Sequence, residues 1–144
     1  MSIKMEGFKE LDRALGQLPK ATARNTLRRV LKKAAEPIRD AMADKAPVLT
    51  GALKRSIVVG TKLTSRQARD AKREGKHFAE VHVGTADPAG VVQEFGTFKE
   101  PAQPFARPAW EATSTDALVT ISTELGAEIE KAAARLAKKL AKAG

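Results

Sequence analysis

The strongest constraint in this chain is a change of pattern at residues 46–57. Ahead of it, Ala23, Leu27, Val30, Leu31, Ala34, Ile38 and Met42 recur at three- and four-residue spacing. That is the apolar stripe of one helix about two dozen residues long. Pro47 stops it: proline has no backbone N–H and biases Ala46 towards extended angles, so the helix ends at or before Lys45. Thr50-Gly51 then turns the chain. Gly51 is free to take a positive φ, and the Thr50 hydroxyl is placed to bond a nearby amide or cap a short helical turn over Ala52 to Ser56. Val48, Leu49, Leu53 and Ile57 are the apolar side chains with which this corner reaches a core. Beyond it, residues 57–63 have the β-branched content of a strand.

The other segments obey the same rules. Ile3 to Gly7 reads as a short strand, and Phe8, Leu11, Leu15 and Leu18 mark a first helix. Pro19 suits the first turn of the long helix, whereas Pro37 inside it predicts a kink or break through the lost bond to the Lys33 carbonyl. Residues 64–75 are an exposed helix or mobile loop, with Ser65 and Gly75 as candidate caps. His77 to Gly84 alternates as a strand able to pair with residues 57–63. Thr85 to Gly90 is turn chemistry, Val91 to Phe95 a short strand or helical turn, and Gly96 to Gln103 a loop. Trp110, Ala117, Ile121, Leu125, Ile129, Ala132, Leu136 and Leu140 then mark a long last helix that Gly126 weakens. The expected fold is α+β: a small antiparallel sheet of three to four strands packed against an N-terminal and a C-terminal long helix. At 144 residues it is expected to be a single domain over 1–144.

Residue chemistry argues against catalysis. There is no Cys, hence no disulfide, thiolate metal site or cysteine nucleophile. His77, Glu80 and His82 form a tempting metal string, but on a strand His77 points away from the other two. Thr50 and Ser56 lack an oriented base, and Glu94 lacks a partner carboxylate. No glycine-rich phosphate cradle is present, so neither cofactor nor metal is expected. No apolar run reaches membrane-spanning length, and the N-terminus lacks a signal core, so membrane insertion and export are not expected. The formal charge is +9, with the excess in the first 75 residues. Within it, Arg66, Arg69, Lys72, Arg73 and Lys76 form a basic insertion. Without interleaved aromatic residues it would touch a DNA backbone rather than read bases, and contact with an acidic subunit face or solvent is the stronger expectation.

Three stretches carry a resemblance. Pro47, Thr50-Gly51, Leu53 and Ser56-Ile57 resemble the A-P-x-x-T-G-x-L-x-x-S-I signature of the phage HK97 gp10-like family of head-tail joining, or neck and tail-completion, proteins. Glu94-Phe95-Gly96-Thr97 is similar to that family's E-F-G-T, and Pro104 to Ala109, with Phe105, Arg107 and Pro108, resembles its P-x-P-F-h-R-P-A. Ala89-Gly90 stands where the family often has Tyr-Ala. The resemblance implies a non-enzymatic virion protein made in the host bacterial cytoplasm. It would form a homo-oligomeric, hexameric ring around the DNA channel, between head-connector (stopper or adaptor) proteins and tail terminator or tail tube proteins. A tail terminator ring is the near alternative, a nonspecific DNA-binding accessory protein, suggested by charge, is the alternative of a different class, and a hydrolase is a distant third. The same resemblance places the two later stretches at a subunit or partner contact.

Overall fold

The computed structural model describes residues 8–48, 51–72 and 78–143. Its spine is a pair of long helices, α2 (Lys20–Lys45) and α6 (Ala106–Ala143), preceded by α1 (Phe8–Gly16). Arg29 meets Glu128 at 3.7 Å and Lys33 meets Glu124 at 2.9 Å. Position rises on one helix as it falls on the other, so the pair is antiparallel. At 1.5 Å per residue α2 spans about 39 Å and α6 about 57 Å. α6 therefore outruns its partner, and Leu140 near its end is exposed.

Helix α2 stops at Lys45 as Pro47 requires, with Ala46 in extended conformation. It runs unbroken through Pro37, so the expected break does not occur. Pro37 is exposed, and water can serve the Lys33 carbonyl that it leaves free. Helix α6 likewise continues through Gly126.

The apolar stripes bury two clusters along the spine. One joins Leu18, Ala23 and Val30 to Leu125, Ile129 and Ala132, with Leu11 and Leu15 of α1 packed against it. The other gathers Ala34, Ile38 and Met42 with Ala46, Leu53, Ile57, Phe105, Ala109 and Ala117. Fully buried Thr26 departs from the apolar pattern, and its hydroxyl has no hydrogen-bond partner.

The expected α+β architecture is overturned. The described residues are mostly helical, 72%, and among them the one sheet has two short strands. Strands β1 (Val58–Gly60) and β2 (His82–Gly84) pair antiparallel, with Val58 opposite Gly84, Val59 opposite Val83 and Gly60 opposite His82. The pairing is the expected one but covers three residues on each side. A capping box comes after β1: the Thr64 hydroxyl accepts from the Gln67 N–H and the Gln67 side chain accepts from the Thr64 N–H. It starts α4 (Ser65–Ala71), so the cap is Thr64, not Ser65. Val91 to Phe95, one candidate for a further strand, lies in α5 (Ala89–Phe95). Asp87-Pro88 decides this locally: the Asp87 carboxylate accepts from the Ala89 N–H at 3.0 Å, and proline's fixed φ suits a helix start. The strand expected at Ile3 to Gly7 lies outside the described residues. The short helix expected after the corner is α3 (Ala52–Ser56).

Candidate functional site

The first turn of any α-helix exposes N–H groups with no partner inside the helix. In α6 one side chain answers nearly all of them. Glu94, buried in α5, accepts through Oε2 from the N–H of Phe105 at 2.8 Å and of Ala106 at 2.9 Å. Through Oε1 it accepts from the Arg107 N–H at 3.0 Å and Arg107 Nε at 2.9 Å. The next residue is Pro108, which has no N–H to satisfy, and the Phe105 carbonyl accepts the first bond of the helix from Ala109. Arg107 closes the arrangement by donating from Nη2 to the Glu94 carbonyl at 2.9 Å. Burial pushes the Glu94 carboxyl up, but the N–H groups of Ala106, Phe105 and Arg107 and the Arg107 guanidinium outweigh it and hold it at about 2. An acid this strong, with its lone pairs taken, is a structural anion rather than a proton donor.

Gly96 and Thr97 shape the loop between α5 and α6. Gly96 sits at φ +74, and a Cβ there would lie 2.6 Å from the Ala102 nitrogen, so only glycine fits. The Thr97 hydroxyl accepts from the N–H of Lys99 and Glu100, the Thr97 N–H donates to the Glu100 carbonyl, and the Gln103 N–H returns to the Gln93 carbonyl. The loop is tied at both ends. It nevertheless presents apolar side chains outward: Phe98 is 96% exposed, and Val91 and Phe95, one turn apart on α5, are each 66% exposed. The Arg107 guanidinium lies 5.1 Å from the Phe95 ring centroid.

The described residues of the corner, 46–48 and 51–57, pack against this junction. Gly51 takes φ +78 ahead of α3, and Leu53, Ile57 and Phe105 share one buried cluster. Ser56 donates to the Leu53 carbonyl at 2.6 Å and shares a hydrogen bond with Thr85, whose hydroxyl accepts from the Asp87 N–H. Gly90 is buried between them; a Cβ there would meet Thr85 Cγ2 at 2.5 Å and come within 4 Å of Leu53 and Phe105. Three stretches far apart in sequence thus form one joint between the end of α2 and the start of α6.

Residues 9–96 match the HK97-gp10-like family, described as "Bacteriophage HK97-gp10, putative tail-component". The chain belongs to that family. The match runs from α1 to the glycine that ends α5, so it contains Glu94 but stops before the helix that Glu94 caps. No curated protein and no solved structure matches the chain.

The gp10-like joint gathers Pro47, Gly51, Leu53, Ser56, Ile57, Glu94 to Thr97, Phe105, Arg107 and Pro108; Thr50 lies outside the described residues. Arg66, Arg69 and Lys72 are exposed on or just past α4, and Arg73 and Lys76 lie outside the described residues. Glu80 pairs with His82 at 3.3 Å, whereas His77 is outside them. Asp87, Gly90 and Thr85 belong to the joint as much as the quoted motifs do. Asp87-Pro88 as a helix-start signal would have found the first, but Gly90's tight fit has no local signature. Among the described residues, no helix is long and apolar enough to cross a membrane.

Proposed function

We propose that this gp10-like chain is a non-enzymatic structural subunit of a tailed-phage virion, placed in the neck between head connector and tail. Folded as a single domain over 1–144, it closes as a homo-oligomeric ring of six copies around the DNA channel. Its neighbours are head-connector proteins on one side and tail terminator or tail tube proteins on the other. Family membership supports the virion role. The observation that carries the contact role is the exposed ridge of Val91, Phe95 and Phe98. A phenylalanine left open on a loop tied at both ends, close in sequence to the exposed Val91 and Phe95, is prepared for a partner, since exposed apolar surface marks interfaces. Identical subunits joined by unlike surfaces close into rings when the rotation between them closes, which is the assembly a neck requires.

Electron microscopy of particles from a phage carrying a stop codon at Gly51 tests this reading. Separate DNA-filled heads and finished tails, joined when the wild-type chain is added, are expected. Phe98→Asp, at an exposed position, should fold normally and fail to join them. Intact virions without the protein would refute the neck role, and capped heads with tails of uncontrolled length would move the chain to the tail terminator.

A further inference from the structure

The structure divides the chain's positive charge into cations that are used and cations that are free. From Lys20 to Ala35, α2 carries six Lys and Arg and no Asp or Glu. Two of the six, Arg29 and Lys33, face α6 and meet Glu128 and Glu124. Arg24, Arg28 and Lys32 stand four residues apart on a different side, so their spacing is about 6 Å per step along the helix. Arg24 is held without being neutralised: its Nε donates to the Phe78 carbonyl at 3.1 Å and its guanidinium lies 5.2 Å from the Phe78 ring centroid. Arg28 and Lys32 are exposed. The next acid along the ladder, Glu36, is engaged at 2.9 Å by Arg39, which also holds Asp40. The outer face of α2 is therefore cationic in its first half and self-neutralised in its second.

We infer that the Arg24, Arg28 and Lys32 stripe of α2 binds the phosphate backbone of double-stranded DNA without reading sequence. The inference extends the neck reading by naming the surface that meets DNA. An acidic protein face fits less well, because protein interfaces are anchored by buried apolar or aromatic side chains. None of the exposed large apolar residues lies on α2; they sit on the α5 ridge and elsewhere. Among the described residues the one such ring beside the stripe, Phe78, lies against Arg24 at its start, and a face that is otherwise basic and polar has the make-up of a DNA interface. The insertion carrying Arg66, Arg69 and Lys72 is the weaker candidate: α4 is seven residues long, and Asp70 and Glu74 interrupt its charge.

The test is fluorescence anisotropy of the purified full chain with a labelled duplex of arbitrary sequence across a salt series. Binding that weakens steeply with salt is expected. Arg28→Ala with Lys32→Ala should weaken it on the order of 50-fold at about 0.1 M salt and make the log–log salt slope shallower by about 2, one contact each. Arg66→Ala with Arg69→Ala should change affinity by less than about twofold. Both pairs are exposed, and circular dichroism checks that they stay folded. No binding at low salt, an α2 variant that binds like wild type, or an equal loss in the α4 variant would overturn the assignment. So would poly-glutamate binding as tightly as DNA at equal charge, which would give the stripe to an acidic protein. Head-to-tail joining is read separately in particles, so either reading can fail while the other stands.

Discussion

The two buried clusters on the α2–α6 spine are held in different ways. The cluster near α1 is made of aliphatic stripes that meet because each helix repeats them at the right spacing, and on the same stretch of α2, between Ala23 and Val30, the fold tolerates an unpaired Thr26 hydroxyl. The cluster under the start of α6 draws on α2, α3 and the residues around Phe105, and one carboxylate bolts it shut. Periodicity distributes stability over many small contacts, each replaceable. A cap with four donors concentrates it in a few atoms that have no substitute. The first design accepts variation; the second fixes a geometry, and it is the second that holds up the exposed ridge.

The largest blow to that contrast is therefore predicted at Glu94. Glu94→Ala leaves three N–H groups at the head of α6 without an acceptor and should cost about 3 kcal/mol, a fall of roughly 10 °C in Tm by calorimetry. The same carboxylate predicts a pH dependence. Its folded pKa, about 2, lies below the ordinary 4.5, so its contribution is full above pH ~5 and is lost as pH falls towards 2. Wild-type stability should drop by about 3 kcal/mol more over that interval than Glu94→Ala does. A variant with the wild-type pH profile would mean that the cap adds nothing.

These features differ in how far the sequence announces them. Pro47 acts on the residue before it and Gly51 on its own dihedral angles, so their effects are directly readable: the helix ends at Lys45 and the turn takes positive φ. The pairing of β1 with β2 is also legible, because alternation is a local signal. The size of the sheet is not. Val91 to Phe95 is five residues long, too short for its period to separate strand from helix, and the Asp87-Pro88 start decides it. Trp110 obeys the stripe of α6 yet is 57% exposed, because it lines an apolar groove of about 360 Å³ between α2, α6 and β2 that none of the described elements fills. Glu94 and its neighbours stand out through a family resemblance, but their chemistry is out of reach of the sequence. Bonds across 11 to 13 positions depend on a loop path that no local rule supplies.

Two glycines sharpen the comparison with opposite signs. Gly96→Ala forces a side chain into a left-handed position and against the Ala102 backbone, so it should destabilise by about 2 kcal/mol. Gly126→Ala lies mid-helix beside the stripe cluster, where a Cβ would sit 3.6 Å from Leu11 Cδ2, an ordinary contact. It should stabilise by about 0.5 to 1 kcal/mol through helix propensity alone. Chemical denaturation of both variants reads the difference, and a loss at Gly126 as large as that at Gly96 would erase the distinction between the clusters.

The smallest effect is expected where the spine looks most firmly pinned, at the ion pairs between α2 and α6. Lys33 and Glu124 meet at 2.9 Å, but their side chains are 63% and 33% exposed. Water and salt screen such a pair, and holding two long side chains together costs rotamer freedom, so the net gain is a few tenths of a kcal/mol. Glu124→Gln should accordingly shift the denaturation midpoint by less than about 0.5 kcal/mol, and the shift should vanish in high salt. A cost several times larger, persisting in high salt, would mean that charge rather than the apolar stripes sets the register of the two helices. The stripe cluster would then depend on a single interaction as the Glu94 cluster does.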